Sequence, residues 1–344
     1  MKILRQLSEA IGVSGAEGEV RKLIRGMIEA HVDDLQTDTM GNLFAFKKGA
    51  GRARLTVMVD AHMDEVGLMV MGYAGDGMLK IGSVGGIDSR VLVGKRVLVG
   101  PKKLPGVIGA KPIHLLEGSE REKAIDLDAL RVDIGADGKS AAEGKAPLGT
   151  RIAFDSTFLE MGGVARGKAF DDRVGCAVLV HLLQGEPFAF DLAASFTAQE
   201  EVGARGAMVA ANRIHPDLAL VLEGTIADDL PKDEPSSPTT ELGKGPALSW
   251  MDHSTLYDRR LNDWLVASAE AAGIPCQFKQ PGIGGTNAGS IHLAQEGIPT
   301  AVLSVPCRYI HAPLAMLSKK DYQNTIKLAR AALERLDADV LERS

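Results

Sequence analysis

The sequence predicts an α/β protein: a mainly parallel sheet with helices on both faces, carrying an inserted small all-β domain. Two observations predict it. From Leu192 onward, apolar strand-like runs alternate with segments of helical spacing, the pattern of a sheet whose crossovers are helices. Between about Val66 and Gly163 the texture changes to short, glycine-punctuated, often β-branched segments with frequent turn signals. The domains expected are therefore 1–66 plus 164–344 for the α/β part and 67–163 for a barrel-like insert.

Taken in order, residues 2–12 and 17–30 have apolar spacing near ~3.6 and predict two helices joined at Gly12-Val13-Ser14-Gly15. Short strands follow at Asp34–Thr37 and Leu43–Phe46. Leu55–Val59, apolar but for Thr56, is a strand that stops at Asp60-Ala61-His62-Met63-Asp64-Glu65. Inside the insert, Val91–Val93 and Arg96–Val99 read as strands. Beyond it come helix 171–183, strand Leu192–Thr197, helix 204–213, strand Leu218–Leu222, helix 256–272, strand Cys276–Lys279, helix 286–296, strand Thr300–Val305 and helix 318–338. Thr225–Pro246, rich in Pro, Asp, Ser and Thr, reads as an exposed loop.

Composition narrows the function classes. The net charge is −6 with acids and bases interspersed, so there is no basic footprint for nucleic acid. No run approaches the ~18 apolar residues of a membrane span, and Met1–Leu7 lacks the pattern of a signal peptide. Cys176, Cys276 and Cys307 are too few and scattered for a disulfide framework. The expected localisation is cytoplasmic.

Ligands of open α/β sheets gather beyond the carboxyl ends of the strands. Those ends carry His62 and Asp64, Glu200 and Glu201, Glu223, and His311, while Asp171-Asp172 opens a helix. Adjacent acids such as Glu200-Glu201 repel, and a strand would send them to opposite faces. A metal site gains from the pair, because one carboxylate holds a cation while the other accepts a proton. Each residue also has a structural reading: Asp171 as an N-cap, Glu223 as an exposed strand-end acid, His62 as a loop His satisfied by Asp64, His311 as structural. Their convergence on one edge favours mixed N/O ligation of Zn²⁺, Co²⁺ or Mn²⁺. His114 reads either as structural or as leaning over the site. No Gly-x-Ser-x-Gly elbow is present. Gly284–Gly289 has neither dinucleotide nor P-loop spacing, so its glycines are read as allowing close backbone approach.

Ala61–Gly67, Phe170–Arg173, Glu200–Gly203, Gly284–Gly289 and Tyr309–His311 together resemble the tetrahedral aminopeptidases, metallopeptidases also once labelled endoglucanases. Asp38–Asn42 and Gly106–Gly109 extend the resemblance over nearly the whole chain. It implies a zinc-exopeptidase-like fold and two divalent metal ions per subunit. His62 and Glu223 would hold one, Glu201 and His311 the other, with Asp171 bridging. Glu200 would be the general base and Asp64 the orienter of His62. It further implies short peptides as substrates and a homo-oligomer, dimers assembling into a hollow dodecamer through the insert.

Two positions depart from the family's common pattern: Glu223 and Asn287 stand where Asp is usual. Glu223 keeps open an N-deacylase or related amidohydrolase on the same metals. A glucanase lacks support, because aromatics are only 4% of the chain. A catalytically silent, self-assembling shell protein remains the non-enzyme reading. Lys111, Arg166, Arg205 and Arg308 are the cations considered for recognising an acidic substrate residue.

Overall fold

The computed structural model describes residues 1–51, 55–231 and 237–342. Among these, the main sheet has 11 strands. Its centre is parallel, in the order Asp191–Thr197, Thr56–His62, Leu218–Ile226, Thr300–Arg308. Antiparallel strands widen it on both sides: Leu43–Lys47 and Asp34–Thr37 on one, Ala315–Ser318, Val164–Gly167 and Leu159–Met161 on the other.

The central strands are apolar on both faces, as a sheet covered twice requires. Val57, Val59, Leu218, Leu220 and Leu222 face the layer containing helices Lys2–Glu9, Gly18–Ile28, Phe170–Gln184, Arg259–Ala272 and Lys319–Glu334. Met58, Ala219 and Val221 face the opposite layer, with Ala207, Ala210 and Ala211 of helix Arg205–Ile214. Each fully buried Leu or Phe contributes about 1.5–3 kcal/mol, so these layers outweigh local propensity in placing the strands.

The strands Gly67–Tyr73, Leu79–Val84, Arg131–Asp133, Leu104–Gly109, Arg96–Val99 and Arg151–Phe154 close into a separate barrel. Leu68, Val70, Leu79, Ile81, Val97, Ile108, Val132, Ile152 and Phe154 fill it. Two features of this segment differ from the sequence reading. Val91–Val93 is no strand: a 3-10 turn spans Ser89–Val91, started by Asp88, whose carboxylate accepts from Arg90 N. A helix, Lys139–Lys145, packs Ala142 into the barrel core, so the segment is not purely β.

Elsewhere the expected elements form with shifted ends. The strand read as Leu218–Leu222 continues to Ile226, which delays the following loop; residues 232–236 of that loop lie outside the described residues. The helix expected over 286–296 shrinks to Ala288–Ile291, followed by left-handed Gln295 and Gly297. Among the described residues, no helix is long and apolar enough to cross a membrane.

Candidate metal centre

Strand ends deliver the site. The strand Thr56–His62 presents His62, and Leu218–Ile226 presents Glu223 beside it. Glu200 and Glu201 follow strand Asp191–Thr197, after a turn in which Gln199 has φ +60°. Asp64 fixes that turn: its carboxylate accepts from the backbone N–H of Glu200 (2.9 Å) and Glu201 (3.1 Å) and from Ser14 Oγ (2.6 Å). It also lies 3.4 Å from His62 Nδ1.

Asp171 is not an N-cap. It and Asp172 depart from helical geometry at the start of Phe170–Gln184, and their peptide bond is cis. The capping is done by Asp172, which accepts from Gly175 N at 2.8 Å. Any side chain on Gly175 would meet that carboxylate at 2.4 Å, which explains the glycine. Asp172 also accepts the backbone N–H of His62 (3.2 Å).

Asp171 consequently lies between the two imidazoles. Its Oδ1 is 3.1 Å from His62 Nε2 and its Oδ2 is 3.3 Å from His311 Nε2. Glu223 Oε1 stands 3.3 Å from His62 Nε2, and Glu201 Oε2 stands 3.4 Å from His311 Nε2. Glu200 Oε2 is 3.9 Å from His62 Nε2. Both rings face Asp171 through Nε2 because their other nitrogens are occupied. His62 Nδ1 lies 3.2 Å from the Asp64 carbonyl, and His311 Nδ1 lies 2.9 Å from the carbonyl of Gly86. Gly86 follows a barrel strand, so the insert helps to orient a residue of the main sheet.

Charge here is unbalanced. Asp171, Asp172, Glu200, Glu201 and Glu223 crowd two imidazoles. Burial raises the Glu200 carboxyl to about 7 and that of Glu223 to about 8, with Asp171 adding to each. Burial also pushes Glu201 and Asp172 well above the usual carboxylate range. For His311, burial opposes the charged form, but Asp171 and Glu201 outweigh it and raise it to about 10. Burial disfavours the Asp171 anion too, yet the two imidazoles hold its carboxyl below its ordinary value. Among the described residues, none hydrogen-bonds the buried Glu201 Oε1. His62, Asp171 and Glu201 each offer a donor atom within 4.8 Å of the others, as do His62, Asp172 and Glu223. An oxygen-rich N/O set with a buried orphan oxygen fits divalent cations.

Several neighbours escaped the sequence reading. Asp172 carried a signal only as the second member of an Asp-Asp pair. Gly86 and Lys279 carried none. Lys279 lines the cavity of about 270 Å³ beside the centre, together with Thr225, Gly284, Gly285 and Thr286. Lys111, Arg166, Arg205, Arg308 and His114 are not among its lining residues. Arg308 is paired with Asp229 at 2.6 and 2.8 Å, Arg205 reaches Gln199 at 3.3 Å, and His114 is exposed on the 3-10 turn Ile113–Leu115. Asn287 turns inward beneath the rim, donating to Asp60 (2.7 Å) and Thr197 Oγ1 (2.8 Å).

A doubly covered α/β sheet whose strand ends gather carboxylates around two imidazoles defines a class, proteins built to hold divalent cations at a sheet edge. Comparison narrows the class. The M42 glutamyl aminopeptidase profile matches residues 41–328. The chain is 33% identical over 344 residues to the lysyl aminopeptidase of Pyrococcus furiosus, covering 97% of each chain. It superposes on the TET aminopeptidase of a marine-sediment thaumarchaeon with a TM-score of 0.94 at 37% identity, covering 99% of this chain and 97% of that one. It also superposes on Pyrococcus horikoshii TET1 peptidase, described as assembling into a tetrahedron or a large octahedral shell. That TM-score is 0.85 at 32% identity, covering 97% of this chain and 99% of the other. The chain belongs to the M42 glutamyl aminopeptidase family.

Proposed function

We propose that the protein is a metal-dependent aminopeptidase that removes N-terminal residues from short peptides. The observation that carries this reading is the placement of Asp171, with one oxygen toward each imidazole and a second carboxylate beside each ring. In this reading His62 and Glu223 would hold one divalent cation and Glu201 and His311 the other, with Asp171 shared between them, Zn²⁺ being the first choice and Co²⁺ or Mn²⁺ the alternatives. Such a pair, when bound, polarises the scissile carbonyl and makes the attacking water more acidic.

The chain's own groups supply the remainder. Glu200 accepts the proton of the attacking water at its carboxylate and returns it to the leaving amine. Asp64 holds the Glu200-Glu201 turn through two backbone N–H groups and orients His62. The surplus of carboxylates draws a protonated amino terminus to the rim, which favours cleavage from the chain end.

Domain roles follow the same reading: 1–66 plus 164–344 carries the chemistry, and 67–163 mediates assembly into dimers and then a dodecamer. Exposed Ile113 and Leu115 on the insert support the assembly role. The deciding experiment assays chelated protein on free and N-acetylated aminoacyl anilides, with Zn²⁺, Co²⁺ or Mn²⁺ added back. Activity is lost on chelation and regained only on the free-amine substrates. Preference for the acetylated ones would instead favour a deacylase, and activity insensitive to chelation would end the proposal.

A further inference from the structure

Asp64 and Glu65 are neighbours in sequence and both buried, yet they satisfy their charge by opposite means. Glu65 takes two cations, Lys168 and Arg173. Asp64 takes neutral donors: the backbone N–H groups of Glu200 and Glu201 and the hydroxyl of Ser14. A cation beside Asp64 would repel the divalent ions that the proposed centre is read as holding. A hydroxyl satisfies the carboxylate and adds no net charge.

The Ser14 bond is the shortest of the three at 2.6 Å, within the range of a hydroxyl bonded to a carboxylate. The donors divide between the two oxygens. Oδ1 accepts from Glu200 N and lies 3.4 Å from His62 Nδ1, while Oδ2 accepts from Glu201 N and Ser14 Oγ. His62, Glu200 and Glu201 belong to the strand ends that Asp64 itself holds, so they give it no fixed reference. Ser14 comes from outside that group, in the loop between helices Lys2–Glu9 and Gly18–Ile28.

That loop is fastened in turn. Val13 pairs with Glu65 in a parallel bridge, and Ser14 N donates to the Glu65 carbonyl at 3.4 Å. From the barrel, Arg151 Nε donates to the Ser14 carbonyl at 2.9 Å. A Cβ on Gly15, where φ is +79°, would meet Arg151 Nη2 at 2.9 Å, so glycine lets the guanidinium approach. Ser14 is 2% exposed, and its hydroxyl is aimed from a backbone gripped at both its N–H and its carbonyl.

We propose that Ser14 is a positioning residue of the reaction: its hydroxyl fixes the Asp64 carboxylate and, through it, the Glu200-Glu201 turn and the His62 ring. The assignment rests on the aminopeptidase reading, in which those three residues carry the chemistry.

The test compares Ser14→Ala, Val13→Ala, Asp64→Ala and the double variant Ser14→Ala/Asp64→Ala with wild type. Leu-p-nitroanilide at saturating Zn²⁺ gives kcat and KM, competition with a chelator gives Zn²⁺ affinity, and urea unfolding gives stability. Removing a group that orients a metal site's residues sets the scale at about 10- to 100-fold. Ser14→Ala should lose about that factor in kcat, with KM little changed, and should bind Zn²⁺ more weakly. Val13→Ala takes apolar packing from the same loop without removing a bond to Asp64; it should lower the urea midpoint and leave kcat alone. In Zn²⁺ affinity the double variant should match Asp64→Ala, because the hydroxyl acts through that carboxylate. Ser14→Ala with wild-type kcat and Zn²⁺ affinity overturns the assignment. So does an equal kcat loss in Val13→Ala, or a double variant that binds Zn²⁺ more weakly than Asp64→Ala by the full Ser14→Ala factor. A wild type that cleaves acetylated anilides alone would sink the aminopeptidase reading, and the Zn²⁺ affinities would still decide whether Ser14 acts through Asp64.

Discussion

Glu65 and Glu201 are both buried carboxylates near the ends of neighbouring strands, yet their surroundings differ in kind. Glu65 takes both oxygens to Lys168 Nζ at 2.7 Å, accepts from Gly12 N at 2.9 Å, and meets Arg173 Nη2 at 3.3 Å. Arg173 in turn donates to the carbonyls of Met63, Leu7 and Ala10, and Lys168 to that of Ala10. Two cations share one carboxylate there, but every charged group has hydrogen-bond partners within the chain, and the cluster ties the first helix to the central layer. Glu201 keeps an orphan oxygen in a group where acids outnumber bases. Where the polypeptide gives its buried charges hydrogen-bond partners the result is scaffold; where it leaves a carboxylate oxygen without one among other acids, a cation from outside fits.

Mutations on the two sides should fail in opposite ways. The largest effect is expected for Glu200→Gln: kcat falls about 10²–10⁴-fold, while metal content and melting temperature stay near wild type. A variant with near-normal turnover would remove Glu200 from the proton transfer. Glu65→Gln leaves Lys168 and Arg173 uncompensated, and the scale for breaking a buried pair is about 3–5 kcal/mol of stability, read from denaturant unfolding. If it unfolds like wild type, the contrast drawn above is wrong.

Asn287→Asp sharpens the comparison at smaller scale. It replaces the donor to Asp60 with a second acid, so a loss of about 1–3 kcal/mol is expected, measured by the same unfolding curves. A neutral result would mean that the new acid is protonated in place and donates as the amide did.

The last prediction concerns pH in the metal-free protein. Glu200, Glu223 and Asp60, raised by burial to about 7, 8 and 6, keep protons that the unfolded chain has released above its ordinary carboxyl values. His311, raised to about 10, likewise holds a proton that the unfolded chain loses near 6.5. In both cases the native state binds more protons, so stability falls as pH rises, from about pH 4, where the unfolded carboxyls ionise, to about pH 10, where folded His311 loses its proton. Bound cations replace those protons, and the decline should flatten. Urea midpoints at three pH values, with and without Zn²⁺, measure it; identical slopes would contradict the reading.

Much of this was legible beforehand because it rests on local signals. Strand ends at Asp60–His62 and Glu200-Glu201 are visible as apolar runs meeting acids, and the helical and sheet periods differ enough to separate insert from main sheet. What the sequence concealed depends on distant backbone. The carbonyl of Gly86 has no side chain to announce it, and Lys279 becomes notable only once it lines the cavity with no hydrogen-bond partner among the described residues. The short helix at Ala288–Ile291 was overestimated because apolar spacing continues to Ile298 while Gln295 and Gly297 take left-handed backbone. For Asp171 the sequence leaves a cap and a metal ligand both open, since helix starts favour acids; in the fold its neighbour Asp172 accepts from Gly175 N instead.

The hydrogen bond from His311 to the Gly86 carbonyl crosses from one folded unit to the other. A ring on the main sheet thus keeps its aim only while the barrel stays docked. A shift of the insert relative to the main sheet would move the acceptor that aims this imidazole. The aim of one site residue therefore depends on a backbone atom that belongs to the other folded unit.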